Sequence, residues 1–245
     1  MNLKLAVFDM AGTTVQDDDA VHTHFARALS CVGVQATRDE LNAVMGLPKP
    51  EAIRLVLESR ASSKAAVSAE LVSSVHRVFL RCIMDYYQVS SDVREVVGTT
   101  DILRRLRRAG VKTVLDTGFS RPIAEAILAR VGWEADGLLD AVVTSDDVTR
   151  GRPWPDMIYR AMALTNVTDP RSVAKIGDTP SDLREGTAAG CGWVIGVTGG
   201  SHTAEELQSC PHTHLIGSVA DLGQIFDLNA AFILVPREQT DARAA

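Results

Sequence analysis

The chain has 245 residues, of which 46% are hydrophobic and 23% charged, with a formal net charge of -6. That supports one sizeable core with a smaller second one. A mildly acidic balance argues against broad binding to nucleic acid or to a membrane surface. No apolar run approaches the roughly 20 residues that span a bilayer. The opening MNLKLAVFDM is too short for a secretory signal and has no small-residue cleavage pattern. Cys31, Cys82, Cys191 and Cys210 have no paired spacing, so a reduced, cytoplasmic protein is expected.

Leu3 to Phe8 is a short apolar run ending at Asp9, followed by Gly12-Thr13-Thr14, and reads as a buried strand entering a loop. Between about Val21 and Tyr87 the spacing turns helical, as in Leu71, Val75, Val78, Phe79 and Ile83, with no convincing strand. From about Thr99 helices and strands alternate. Helices are expected over 102–109, 122–131, 155–164, 180–189, 204–208 and 219–226. Strands are expected over 111–115, 141–144, 173–176, 193–197 and 215–216. This alternation predicts an α/β fold, a doubly wound Rossmann-like parallel sheet, with an inserted all-helical unit. The expected division is a core of 1–16 and 91–228, a helical cap of 17–90 and a C-terminal tail of 229–245.

In such a sheet, ligands bind at the carboxyl ends of the strands. Three polar segments fall there: Asp9-Met10-Ala11-Gly12-Thr13, Asp116-Thr117-Gly118 and Gly177-Asp178-Thr179-Pro180-Ser181-Asp182. Asp9 and Asp178, with Asp182 behind them, suit Mg²⁺, which takes a few carboxylates plus water and phosphate oxygens. Asp182 also has the plainer role of a helix-start carboxylate. Thr117 and Gly118 precede a helix and offer either an anion site or an ordinary cap. Arg152 offers either a phosphate clamp or a solvated charge.

Together these segments resemble the four motifs of the haloacid dehalogenase superfamily, in order and across nearly the whole core. The resemblance implies that Asp9 attacks phosphorus and forms an aspartyl-phosphate. It implies that Asp9, Asp178 and the main-chain carbonyl of Ala11 hold Mg²⁺, and that Thr117 and Arg152 bind the phosphoryl oxygens. Gly12 and Thr13 join the substrate-binding loop, and the helical unit is similar to the family's mobile cap.

Two departures point further. Most phosphatases of the superfamily have a second Asp two residues after the nucleophile, as general acid; here it is Ala11. Most have Lys where this chain has Arg152. Both features, and Met45-Gly46-Leu47-Pro48-Lys49 in the insert, resemble phosphonoacetaldehyde hydrolases and phosphonatase-like relatives. That resemblance implies a Schiff base on Lys49, an electron sink that lets carbon leave phosphorus without an acid beside Asp9. Lys49 must then be neutral part of the time, and burial under a closed cap would lower its pKa. A cap-surface lysine is the alternative. Ala52 and Phe119 replace a histidine and an aromatic hydroxyl of that family, which leaves the exact substrate open among 2-oxoalkylphosphonates. A small-phosphomonoester phosphatase and a non-catalytic binding protein are the rival readings. A homodimer through the first cap helix is a further expectation.

Other polar features have bland readings. His22 and His24 read as solvated hinge residues, and Asp17-Asp18-Asp19 as a hinge and helix-start cluster whose Asp19 or a neighbour lines the cleft. Arg104 to Arg108 reads as a solvated helix face, and Cys210 to His214 as a surface loop. Asp147 is expected to orient the site beside Arg152.

Overall fold

The structure, a computed structural model, describes residues 2–61 and 67–228. The expected tail at 229–245 lies outside these residues. One sheet contains β1 (Leu5–Phe8), β2 (Lys112–Thr117), β3 (Ala141–Thr144), β4 (Val173–Gly177), β5 (Trp193–Val197) and β6 (His214–Ile216). Its order is β3-β2-β1-β4-β5-β6, and every pairing is parallel. The doubly wound α/β architecture expected from the alternation is therefore the one observed.

Every residue of β1 is buried. Strand side chains alternate between faces, and the packing follows that alternation. Ala6 and Phe8 join Ile102, Leu106, Ile123 and Ile127 on one face. Leu5 and Val7 join Met157, Ile158 and Ala161 on the other. These partners belong to α5 (Thr99–Arg108), α6 (Arg121–Val131) and α7 (Asp156–Thr165). A strand covered on both faces needs apolar residues at every position, which is why β1 reads as an unbroken apolar run.

Four helices lie between β1 and α5: α1 (Ala20–Ser30), α2 (Arg38–Asn42), α3 (Lys49–Arg60) and α4 (Ala69–Val89). The described part of this insertion contains no strand. Chain entry and exit run side by side, Gln16 N–H donating to the Arg94 carbonyl and Val96 N–H to the Thr14 carbonyl. Phe25 of α1 meets Phe79 of α4 edge-on at 6.2 Å, an arrangement that suits the ring quadrupoles.

The remaining helices are α8 (Pro180–Ala189), α9 (Ala204–Gln208) and α10 (Leu222–Ile225). A single helix was expected over 219–226. Instead, Ser218 caps a separate 3₁₀ turn at Val219–Asp221, accepting from the Ala220 N–H, and α10 begins only at Leu222. No helix among the described residues is long and apolar enough to cross a membrane.

Candidate active site

The strand order reverses at β1, and the register aligns the ends of its neighbours with it. Phe8 pairs with Leu115 of β2 and with Ile176 of β4, and Asp9 N–H donates to the Ile176 carbonyl at 2.9 Å. The residues that follow, Asp9, Asp116-Thr117 and Gly177-Asp178, therefore stand side by side at the switch point. Gly12 has φ +84, and a Cβ there would lie 2.4 Å from Asp178 Oδ2. Only glycine lets the loop pass so close. Thr13 Oγ1 donates to Asp178 Oδ1 at 2.9 Å, while Ser201 N–H and Oγ both donate to Oδ2 at 2.7 Å. Thr117 is buried, and its Oγ1 accepts the Phe119 N–H at 3.1 Å.

Arg152 is 2% exposed and ties the strand ends together. Its guanidinium lies 2.5 Å from Asp9, 3.1 Å from Asp116, 2.9 Å from Asp182 and 3.4 Å from Glu185. Lys175, inside β4, is fully buried against Asp116, 3.0 Å from Asp182 and 3.0 Å from Glu185. Burial opposes the charge on Arg152, but Asp182, Asp9, Asp116 and Glu185 hold it firmly protonated. Burial pushes Asp9 well above the ordinary carboxylate range, against the pull of Arg152 and with help from Asp182 and Asp178. Burial also raises Asp178, with Asp182 adding to the effect.

Five buried carboxylates (Asp9, Asp116, Asp178, Asp182 and Glu185) thus share two buried cations, Arg152 and Lys175. Such an excess of negative charge is unfavourable without a further cation or bound protons. Carboxylate oxygens of Asp9, Asp178 and Asp182 all lie within 4.8 Å of one another. The donor set is all oxygen, hard and anionic, and so fits Mg²⁺. A second acidic group, Asp116, Asp182 and Glu185, is already matched by Lys175 and Arg152. Asp182 is the most occupied carboxylate: Oδ2 accepts from the Thr179 N–H and Oγ1, and Oδ1 faces both cations.

The insertion supplies the roof. A Cβ on Gly46 (φ +79) would lie 2.5 Å from Thr179 Oγ1, and one on Gly151 would lie 2.6 Å from Pro48 Cγ. Ser181 Oγ donates to the Met45 carbonyl at 3.3 Å. With the 45–49 loop seated this tightly, Lys49 at the start of α3 is 7% exposed. Its Nζ lies 4.7 Å from the Phe25 ring centroid, 5.1 Å from that of Phe79 and 4.0 Å from Met45 Sδ. Burial among these groups lowers its pKa to about 8, against the field of Asp17. Asp9, Ala11, Thr117, Gly118 and Arg152 share one cavity with Lys49, Met45 and Asp17. The cavity volume is about 50 Å³, several times the roughly 10–15 Å³ that one water needs by the same measure.

Several expected placements differ. Asp147 does not reach Arg152. Its Oδ2 accepts from Thr144 N–H and Oγ1 and pairs with Arg121, because it caps its own 3₁₀ turn. His22 is buried rather than solvated, and Nε2 meets Asn42 Oδ1. His24 meets the Tyr86 ring at a tilt of 51°, centroids 5.5 Å apart. The arginines of 104–108 form the expected outward face, Arg104 and Arg108 being exposed, and Arg104, Arg105 and Arg107 pair with Asp136, Asp101 and Asp140. Within 210–214, Pro211 and Thr213 are exposed as a surface loop requires, but Cys210 is buried and His214 opens β6.

The sequence assigns no chemical role to Asp116, Lys175 or Glu185, and to Asp17 only a place in the hinge. Lys175 lies in an apolar run, Val-Ala-Lys-Ile-Gly, where a charge in a doubly covered strand demands buried partners. Glu185 stands three residues after Asp182, on the same face of α8. Those two signals together were the available clue to the network.

A family model of haloacid dehalogenase-like hydrolases matches residues 3–190. The chain belongs to that family and is a hydrolase. Its curated relatives include phosphonoacetaldehyde hydrolases. The one from Syntrophobacter fumaroxidans is 34% identical over 229 residues, covering 89% of this chain and 82% of the relative. That of Bacillus cereus strain B4264 is 29% identical over 252 residues, covering 98% and 94%. Among solved structures, a phosphonoacetaldehyde hydrolase-like protein from Oleispira antarctica superposes with a TM-score of 0.79 at 24% identity, over 94% of both chains.

Proposed function

We propose that this hydrolase cleaves the carbon–phosphorus bond of phosphonoacetaldehyde or a related 2-oxoalkylphosphonate. One observation carries the reading: a buried lysine of lowered pKa lines the same small cavity as the nucleophile Asp9, and the neighbour that would carry an acid is Ala11. The names of the curated relatives support the same bond type.

The chain's own groups define the steps. Neutral Lys49 Nζ adds to the substrate carbonyl, and loss of water gives an iminium. An Asp9 oxygen attacks phosphorus; as that bond forms, the carbon–phosphorus bond breaks and its electron pair enters the iminium, leaving an enamine. Proton addition at carbon and then water release the aldehyde and Lys49, while a second water hydrolyses phospho-Asp9. Arg152, Thr117, Gly118, Gly12 and Thr13 hold the phosphoryl oxygens, and the helical cap of residues 17–90 excludes bulk water. Asp9, Asp178 and the Ala11 carbonyl would hold Mg²⁺, with Asp182 behind them. Bound there, Mg²⁺ supplies positive charge that favours ionised Asp9 and offsets charge on phosphorus.

The test is phosphate release from phosphonoacetaldehyde and from a small sugar phosphate, by the wild type and by Lys49→Ala. The reading expects turnover of the phosphonate and its loss in the variant. Fast turnover of the sugar phosphate, untouched by the substitution, would make the protein a phosphatase instead.

A further inference from the structure

Forming and hydrolysing an imine requires protons at two points. The carbinolamine hydroxyl must be protonated to leave as water, and the returning water must lose a proton as it adds. Four titratable side chains line the catalytic cavity: Asp9, Asp17, Lys49 and Arg152. Asp9 faces phosphorus, Lys49 binds carbon and Arg152 cannot give up its proton. Asp17 is the group left. We infer that Asp17 is the proton carrier for the chemistry on Lys49, an assignment that rests on the Schiff-base reading above.

The position of Asp17 suits that task. Its Oδ1 accepts the Val21 N–H at 3.1 Å, which fixes the carboxyl at the start of α1. Among the described residues Oδ2 has no hydrogen-bond partner, so one oxygen stays free for a substrate group or water. Asp17 and Ser201 also line an outer pocket of about 340 Å³. Asp17 therefore stands between the catalytic cavity and this outer pocket, where its free oxygen can exchange a proton with water.

The charged groups that act on it are Asp178 of the core, Lys49 of α3 and Asp19 of its own segment. Burial raises its pKa to about 6, against the Val21 N–H and the Lys49 charge and with help from Asp178 and Asp19, so both forms are accessible near neutrality. In the forward step, the Asp17 carboxyl gives its proton to the carbinolamine hydroxyl. Water departs, the C=N bond forms and Asp17 is left as carboxylate. In the reverse step, that carboxylate takes a proton from water as the oxygen–carbon bond forms, which restores the acid.

The test is cyanoborohydride labelling of Lys49 by acetaldehyde at pH 7, followed by peptide mass spectrometry, in the wild type, Asp17→Asn and Asp17→Glu. Asparagine can still accept the Val21 N–H but has no acidic proton to give. Labelling should slow at least tenfold in Asp17→Asn and recover partly in Asp17→Glu, consistent with the usual weight of general acid–base catalysis, about 10²–10⁴. A purely electrostatic role predicts the opposite sign. Removing the Asp17 charge leaves Lys49 more often neutral, so labelling would quicken. Equal or faster labelling in Asp17→Asn would overturn the assignment, as would equal loss in both variants. No labelling of wild-type Lys49 would bring down the Schiff-base reading itself, and the role of Asp17 with it.

Discussion

Lys49 Nζ lies 4.7 Å from the centroid of the Phe25 ring, buried under the loop that joins α2 to α3. A lysine held against apolar groups is a cost to the fold, and the cost has a definite pH dependence. Its pKa is about 8 in the folded protein against an ordinary 10.5. A depressed lysine pKa means that the folded state resists the charge. The penalty is fully present below pH 8 and is relieved as pH rises from about 8 to 10.5. At pH 7 it amounts to about 3 kcal/mol. Lys49→Met should therefore raise stability at pH 7 by up to that amount, measured by urea unfolding. It should also abolish the gain in stability between pH 8 and 10.5. A destabilised variant would contradict this account of the lysine's surroundings.

Gly46 takes φ +79 with no room for a Cβ against Thr179. Gly46→Ala should prevent the 45–49 loop from seating on the core. The expectation is at least a tenfold fall in kcat/KM, with a stability loss of only about 1–2 kcal/mol. Steady-state kinetics beside denaturant unfolding separates the two effects.

The buried network makes an asymmetric prediction. Lys175→Met leaves Asp116, Asp182 and Glu185 with Arg152 alone and should cost about 3–5 kcal/mol. Glu185 is different, because burial, reinforced by the nearby Asp116 charge, raises its pKa well above the ordinary value. It holds its proton, so Glu185→Gln, a close mimic of the protonated acid, should cost less than about 1 kcal/mol. Equal losses in the two variants would show that the charge assignment is wrong.

If the excess of buried carboxylate is the Mg²⁺ site, the metal should stabilise the fold. At ten times its Kd, Mg²⁺ contributes about 1.4 kcal/mol, or roughly 3–5 °C in Tm for a chain of this size. Asp178→Asn should lose most of that shift, read by thermal unfolding with and without Mg²⁺. An unchanged shift in the variant would move the metal elsewhere.

The parts of this arrangement that were legible in the sequence follow from local rules. Ala141–Thr144, Pro180–Ala189 and Trp193–Val197 are bounded in the structure where the sequence bounds them, because glycine, proline and a change of period mark their ends. Asp9, Thr117 and Asp178 could be assembled because strand ends in a parallel sheet converge. What stayed hidden depends on three-dimensional pairing. The neutralisation of Lys175 inside an apolar strand needs Asp116 and Asp182, from two other elements. Asp147 sits near Arg152 in sequence, yet its own turn claims both of its hydrogen-bonded contacts to Thr144. Asp17 looks like one more hinge carboxylate until the insertion folds over it.

The central claim is that carbon leaves phosphorus through an imine on Lys49. The direct measurement is borohydride reduction during turnover of phosphonoacetaldehyde, with peptide mapping of the inactivated protein. The account predicts an N-ethyl group on Lys49 and loss of activity in step with its formation. Continued turnover with no adduct, or with the adduct on another lysine, would contradict it.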